Sequence, residues 1–248
     1  MKKNEILNLF LLTAVIGLVI SCGGSDNDDT TPSSSSSVSA SPAAASCPLV
    51  SNAAGASVVS GTDTSGNLTC TYTGTYNDSF QMKASATHIL SGPVKIGDDT
   101  TSPTLTIDAG TTLRGESGKD SLNILRGAKI LAKGTATNPI IMTSASDDGT
   151  LAADAQAQWG GLQIMGKATQ NCTEAEKNAD GICERSAEGF DAGAVKYGGN
   201  DDNDNSGELS YVVVKYAGYA FTSENELNGI AFYAAVSYTH LRAHETSE

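Results

Sequence analysis

Residues 105–113 read LTIDAGTTL, and residues 122–130 read LNILRGAKI. Both stretches follow the pattern L-x-I-x-x-G-x-x-(L/I), and every matching position is offset by 17 residues. Apolar residues two positions apart are typical of a short β-strand, and the glycine allows a sharp bend before the next strand. A looser copy with Ile89, Gly92 and Ile96 precedes them. The repetition predicts short strands joined at glycine bends.

A period near 17–20 residues indicates the coils of a solenoid, because one coil cannot bury its own apolar face and must stack on its neighbours. A coil of this length predicts that the two stretches lie side by side, with Leu105 against Leu122. The sequence therefore predicts an all-β protein with a right-handed parallel β-helix. The alternative is a β-sandwich, which would have antiparallel strands joined by hairpin turns and would not require in-register copies.

Later segments fit the same architecture. Strands are predicted at 139–143, 159–165, 209–216 and 229–234. Two long excursions, 144–158 and 167–207, interrupt this series. Insertions in a solenoid form loops on one side, often the functional side.

A wider resemblance rests on TLTIDAGTTLRGE, NILRGAKILAKGTATNPIIMTS, WGGLQIMGKA, YGGNDDNDNSGELSYVVVKYAG and NELNGIAFYA. In order and spacing these segments, within about residues 85–235, resemble large β-helix lipoproteins of Bacteroidota and marine Gammaproteobacteria. The resemblance implies an extracytoplasmic β-helix and no established reaction. Members of that family extend beyond the point where the pattern stops here.

The N-terminus is typical of an exported lipoprotein. Lys2 and Lys3 precede an apolar run that is too short for a comfortable membrane span. The run ends in LVISC (18–22), which resembles a lipobox and implies that Cys22 is acylated and becomes the N-terminus. Gly23 and Gly24 follow in place of an inner-membrane retention aspartate, so we expect a lipid anchor in the outer membrane, on its periplasmic or cell-surface side. The alternative is an ordinary secretory signal with an incidental cysteine.

The predicted organisation has five parts. Residues 1–21 are a signal peptide, and 22–46 are a lipidated cysteine with a Ser/Asp-rich tether that has little to bury. Residues 47–86 form an N-terminal disulfide-linked β segment, and 87–235 form an incomplete set of coils. Residues 236–248 are discussed below.

Four cysteines remain after Cys22, and an even number in an exported chain favours disulfides. The simplest of three connectivities pairs Cys47 with Cys70 and Cys172 with Cys183. Zinc is the alternative, but no C-x-x-C spacing occurs and no histidine lies nearby. The net charge of −13 argues against nucleic acid as a partner, because phosphate contacts need clustered Lys and Arg.

The densest group of oxygen ligands is NDDNDN at 200–205. Oxygen ligands suit Ca²⁺, and the candidate ligands are Asp201, Asp202 and Asp204. The EF-hand pattern fails, since Ser206 replaces the invariant glycine and Val212 the bidentate glutamate. A solvated turn, in which Asp and Asn bind their own backbone, is the alternative.

Other candidates have simpler structural explanations. Trp159 could stack against a glycan, although a core position is the favoured interpretation. Arg114 and Arg126 could act as the base of a polysaccharide lyase, but their offset of 12 does not put them on one 17-residue ladder. No pair of carboxylates repeats at that coil spacing, as a glycosidase site would require. His88 is expected at a strand edge.

The C-terminal residues VSYTHLRAHETSE (236–248) place His240, His244 and Glu245 at a spacing that suits zinc on a helix. Residues 236–246, however, match one reading frame of a transposase-based sequencing adapter. We therefore interpret 236–248 as adapter-derived, expect no zinc there, and expect the natural protein to continue past Ala235.

Two functions remain open. The preferred one is a non-catalytic, envelope-anchored β-helix that binds or adheres to a glycan or a surface protein. The alternative is an extracellular polysaccharide-degrading enzyme, a lyase or hydrolase, with its active site partly or wholly in missing coils.

Overall fold

A computed structural model describes residues 45–50, 55–223 and 225–235. These all belong to one compact unit, Ala43–Glu248. The strands in this part of the chain are β1 Ser57–Thr62, β2 Leu68–Thr73, β3 Thr75–Tyr76, β4 Phe80–Met82, β5 Thr87–Leu90, β6 Pro93–Ile96, β7 Thr104–Ile107, β8 Thr112–Gly115, β9 Ser121–Ile124, β10 Lys129–Lys133, β11 Ile140–Ser144, β12 Gly161–Met165, β13 Arg185–Ser186, β14 Lys196–Tyr197, β15 Gly207–Ser210, β16 Val212–Val214, β17 Tyr219–Thr222, β18 Asn225–Leu227 and β19 Ile230–Tyr233. A short 3₁₀ helix spans Glu174–Glu176.

Three stacked sheets make up the body of the molecule. The first sheet has the order β1-β2-β5-β8-β11-β16, the second β19-β12-β9-β6-β3, and the third β15-β10-β7-β4. The chain passes from the first sheet to the second, then to the third, and then back to the first one layer further on. Apart from β1 on β2, neighbouring strands in these sheets are parallel. The protein is a right-handed parallel β-helix as predicted, and the β-sandwich alternative is wrong because, in the described residues, every pairing in these sheets except that of β1 with β2 is parallel.

The predicted coil of 17–20 residues fits only the first layer, where Cys70 pairs with His88 at an offset of 18, and is wrong for the two repeated stretches. Leu105 pairs with Ile130, 25 positions later, and Leu113 pairs with Met142, 29 positions later. Leu122 lies in the second sheet and Leu105 in the third, so the two are not neighbours on one ladder. An offset of 17 is about two thirds of a coil, which takes the chain from one sheet to another.

The similar stretches therefore mark different corners of the same triangular coil. Residues 105–113 turn from the third sheet to the first, and residues 122–130 turn from the second to the third. Each corner needs a strand, a residue with positive φ and another strand, so the same pattern recurs. Gly110 has a φ of 81° and Gly127 one of 83°, as expected for a glycine bend.

Inward-facing apolar side chains form the core in continuous ladders. In the second sheet Val94, Leu122 and Leu162 are in register and fully buried. Ile96, Ile124 and Ile164 form a parallel ladder beside them. Burying each such side chain contributes roughly 1.5–3 kcal/mol, so stacking coils supplies stability that one coil lacks.

The later predicted strands are confirmed with shifts of a few residues at their ends, and 209–216 is divided between β15 and β16. The disulfide Cys47–Cys70 ties the start of the described chain to β2, and β2–β4 form a coil on which β5–β7 stack. Among the described residues, no helix has the length and apolarity needed to cross a membrane.

Replacing the glycine at one corner should destabilise the stack. Gly110→Val is expected to lower the free energy of unfolding by about 1–2 kcal/mol, since a branched side chain disfavours the left-handed backbone. A Cβ at this position would make only ordinary contacts, the nearest at 3.7 Å, so strain rather than crowding is responsible.

Gly110→Asn is the matched control, because asparagine tolerates positive φ better than valine. Urea unfolding of the two variants checks the prediction, which equal losses would contradict.

Candidate functional site

Three inserted segments flank the second sheet. Residues 145–160 and 215–229 both connect the first sheet to the second, in consecutive coils. We call them the corner segments; the later one carries the β17–β18 hairpin. Residues 166–206 connect the second sheet to the third, and we call them the cover segment. The insertions therefore leave the body at the two corners that border the second sheet.

The outer face of the second sheet carries a polar ladder. Lys95 on β6, Asn123 on β9 and Gln163 on β12 are in register, alternating with the apolar residues that point into the core. Outward residues of a sheet are ordinarily solvated, but Asn123 and Gln163 are both fully buried. Something on the outside of the sheet must therefore exclude water from them.

The cover segment lies over this face. The Lys95 ammonium is 5.5 Å from the centre of the Phe190 ring, a cation–π contact. Ala187 and Val195 of the cover pack with Leu125 and Met165 of the body in a small apolar cluster. On the other side, the amide of Gln163 donates to the Asn228 carbonyl of a corner segment at 3.0 Å.

Three buried polar atoms on this face have no hydrogen-bond partner in the described part of the chain: Asn123 Oδ1, Gln163 Oε1 and the Tyr233 hydroxyl. The Asn123 amide nitrogen is occupied, since it donates to the Val94 carbonyl and to Ser121 Oγ. Burial, with the nearby Glu188 and Tyr197, raises the pKa of Tyr233 to about 12, which keeps its hydroxyl protonated. The face thus offers two acceptors and one donor for further hydrogen bonds.

A buried arginine fastens the cover to the body. Arg126 follows β9 and is 8% exposed. Its Nε donates to Asp99 Oδ1 at 2.7 Å, and its Nη1 donates to the Gly198 carbonyl at 2.8 Å and to Glu184. Arg126 lowers the pKa of Glu184 to about 2 by its hydrogen bond, with Lys196 also contributing. We call Arg126, Asp99 and Glu184 the latch.

A groove lies between the two corner segments. Its volume is about 330 Å³, and it is lined by Gln156, Ala157, Ala217, Gly218, Tyr219, Ala220, Glu226, Leu227, Asn228 and Gly229. Gln156, Glu226 and Asn228 are its polar residues, and Tyr219 is the one aromatic residue among those that line it. The volume falls at the lower end of the range for small-molecule sites.

The model of the pectate-lyase-like β-helix domain family matches residues 74–246. The chain belongs to this family. No curated protein and no solved structure matches the chain. The family match includes residues 236–246, which the sequence interpretation assigns to a translated adapter; these residues, with His240, His244 and Glu245, lie outside the described part, and that interpretation stays a prediction.

Both predicted disulfides are confirmed: Cys47–Cys70, which precedes the matched pectate-lyase-like domain, and Cys172–Cys183, which lies within it. The second closes a loop within the cover segment. Cys22 lies outside the described residues, and its acylation stays a prediction.

Trp159 occupies the core position that the sequence analysis favoured over sugar stacking. Trp159 is fully buried, so neither ring face is open to a ligand. Its Nε1 donates to the Lys215 carbonyl at 2.8 Å. The residue anchors the point where a corner segment re-enters the stack.

The three aspartates predicted as calcium ligands accept hydrogen bonds from backbone amides of the protein. Asp202 accepts a hydrogen bond from the Thr169 amide, Asp204 from the Lys167 amide, and Asp201 from the Asn203 amide. Within the described ranges, no group of three or more His, Cys, Asp or Glu side chains could hold a metal ion. The carboxylates close local turns and fasten the start of the cover, so the structure does not bring them together around a common point.

His88 is an interior residue rather than the strand-edge residue predicted. It is 1% exposed, and its Nε2 donates to the Lys83 carbonyl at 2.9 Å. Nδ1 therefore accepts from the Tyr72 hydroxyl, at 2.8 Å. Burial lowers the pKa of His88, in keeping with a neutral ring.

Arg114 and Arg126 occupy different ladders, as predicted, although the argument from a 17-residue coil was wrong. Arg114 lies on the outer face of the first sheet, level with Ile89 and Thr143. Arg126 lies at a corner of the second sheet and is held by two carboxylates. Its charge is committed to the latch, which makes it unsuitable as a base.

The sequence reasoning missed Asn123, Gln163 and Tyr233. The segments LNI and LQI show ordinary alternation, which predicts solvated polar side chains. Asn123 and Gln163 are covered by residues well after them in the chain, and Tyr233 by residues well before it such as Tyr197, so the local sequence carries no signal of this coverage.

Two tyrosine variants test whether the Tyr233 hydroxyl is unsatisfied. Tyr233→Phe removes a buried hydroxyl without a partner and should leave the free energy of unfolding unchanged or raise it by up to about 1 kcal/mol. Tyr72→Phe removes the hydrogen-bond partner of His88 Nδ1 and should lower the free energy of unfolding by about 1–2 kcal/mol. Chemical denaturation measures both, and a clear loss of stability in Tyr233→Phe would contradict the assignment.

Proposed function

We propose that this protein is a cell-envelope lipoprotein whose β-helix domain binds carbohydrate without cleaving it. The groove between the corner segments is the observation that carries the proposal. Carbohydrate hydroxyls need closely spaced acceptors and donors, and Gln156, Glu226 and the Asn228 backbone supply them in one concave place. Tyr219 adds an aromatic ring to the same lining.

The competing proposal is an enzyme that cleaves extracellular polysaccharide, and membership of the pectate-lyase-like family supports it. A lyase needs a basic side chain that is free to take a proton from the substrate. The latch holds Arg126 in its charged form, with its Nε and Nη1 donating hydrogen bonds inside the protein. Arg126 is therefore unsuitable as the base, and Arg114, the other candidate, is not among the residues that line the groove. The groove thus favours the non-catalytic proposal for the described coils.

Groove variants test the binding proposal. Purified protein is titrated calorimetrically with neutral and uronate-containing oligosaccharides, while product release from the same glycans is followed in parallel. Glu226→Ala and Gln156→Ala should each weaken binding roughly fivefold to tenfold, the effect of losing about 1 kcal/mol or slightly more.

Gln81→Ala is the matched control, because Gln81 is an exposed amide on the third sheet, away from the groove. Its affinity should equal that of the wild type. Reproducible turnover of any glycan would instead favour the enzyme, and an absence of binding across the panel would reject a carbohydrate ligand.

The envelope anchor is a separate part of the proposal, carried by the LVISC segment. Cys22→Ser in the producing cell should move the protein from the membrane fraction to the soluble fraction, because the acyl chains are lost. Ser21→Ala keeps a small residue before the cysteine and should leave the protein membrane-bound. Detergent phase partitioning distinguishes the two, and unchanged partitioning of Cys22→Ser would reject the anchor.

A further inference from the structure

The cover segment buries a polar surface without satisfying it. Asn123 and Gln163 sit on neighbouring strands of the second sheet, and their side-chain oxygens lack partners within the described ranges. A group that gives up its hydrogen bonds to water and gains none in return is unfavourable. The covered arrangement therefore carries a cost that a hydrogen-bonding ligand on the same face would remove.

The attachment of the cover to this face relies mainly on side-chain contacts. In the described part of the segment, its strands β13 and β14 pair with each other and not with the second sheet. The apolar cluster beneath it buries Ala187 and Val195 of the cover, and the half-buried rings of Phe190 and Tyr197 pack against it. The strongest links are the Arg126 contacts to Glu184 and to the Gly198 carbonyl.

The covered ladder meets the groove. Asn228 lines the groove, and its carbonyl accepts the hydrogen bond from the Gln163 amide. Gln163 is also the ladder residue next to Asn123. A ligand that fills the groove and extends across the second sheet would next reach Gln163 Oε1 and Asn123 Oδ1, about 5 Å apart at the spacing of neighbouring strands.

We propose that the cover segment is a latched lid, and that its opening exposes the Lys95, Asn123 and Gln163 ladder as an extension of the groove for long, hydroxyl-rich glycan chains. This inference rests on the proposed carbohydrate-binding function and adds its regulation. Sugar hydroxyls donate to the two amide oxygens. The protonated Tyr233 hydroxyl donates to a sugar oxygen. The latch keeps the ladder closed until a chain long enough to leave the groove arrives.

The lid predicts that affinity depends on the length of the glycan chain. Affinity for a ligand that needs the open state is reduced by the fraction of molecules that are open. Loosening the latch should therefore raise affinity for long chains and leave affinity for short oligosaccharides, which occupy only the groove, unchanged.

Glu184→Ala loosens the latch while Arg126 keeps Asp99 as its partner, so the body is expected to remain folded. Glu174→Ala is the matched control, since Glu174 lies in the same segment but pairs only with the neighbouring Lys177 and is highly exposed. Far-UV circular dichroism verifies that both variants are folded.

Opening is measured without any ligand. In the full chain carrying Cys22→Ser, Asn123→Cys places a thiol on the covered face, and its maleimide labelling rate reports how often the cover opens. Adding Glu184→Ala should raise that rate at least about fivefold, the effect of removing an interaction of about 1 kcal/mol. Adding Glu174→Ala should leave it unchanged. Equal labelling rates in all three proteins would overturn the proposal that the cover is a lid.

Binding is then measured in proteins that keep Asn123, for short oligosaccharides and for long chains of the same sugar. Tighter binding of long chains alone in Glu184→Ala supports the proposal. Equal gains for short and long chains would overturn the extension of the groove. Faster labelling with no glycan bound by any variant would establish a moving cover while rejecting carbohydrate as its ligand, which separates the failure of the lid from the failure of the proposed function.

Discussion

Backbone hydrogen bonding in parallel register between successive coils is the constraint on which the rest of the structure depends. It sets each residue directly against its counterpart in the next layer, as Leu122 lies against Leu162. Since side chains alternate between the two faces of a strand, this register produces apolar ladders inside and a polar ladder outside. The same geometry that builds the core therefore builds the Lys95, Asn123 and Gln163 surface.

Much of the architecture follows from local sequence, and the coil length does not. The pattern L-x-I-x-x-G predicts strands and bends because those are decided within a few residues, and Gly110 and Gly127 have the positive φ that the bends require. It cannot distinguish one corner of a coil from another, since all corners have the same needs. For these stretches the result was a period of 17 in place of 25 to 29. The pairing partner of Leu105 becomes apparent only when three sheets close into one coil.

The candidate site was harder to predict than the fold for a related reason. Disulfides could be predicted from the number and spacing of cysteines, and the insertions could be recognised as breaks in the strand series. Asn123 is buried beneath a cover whose Glu184, Phe190 and Val195 are all distant from it in sequence, so nothing near Asn123 signals the coverage. Trp159 and the Asp201–Asp204 run attracted functional hypotheses by composition, but one belongs to the core and the other to local turns.

The pairing of β10 with β15 shows that insertions do not disturb the stacking of the coils. Ile130 and Gly207 are in register although 77 positions separate them, while the preceding pair in the same sheet is only 25 apart. The coil between them carries two insertions, residues 145–160 and 166–206, so two of its corners together admit about fifty extra residues without disturbing the layers on either side. Whole surface segments can therefore be gained, lost or replaced at such a corner during evolution. These changes would alter what the molecule recognises, while the stacked body that carries the segments stays the same.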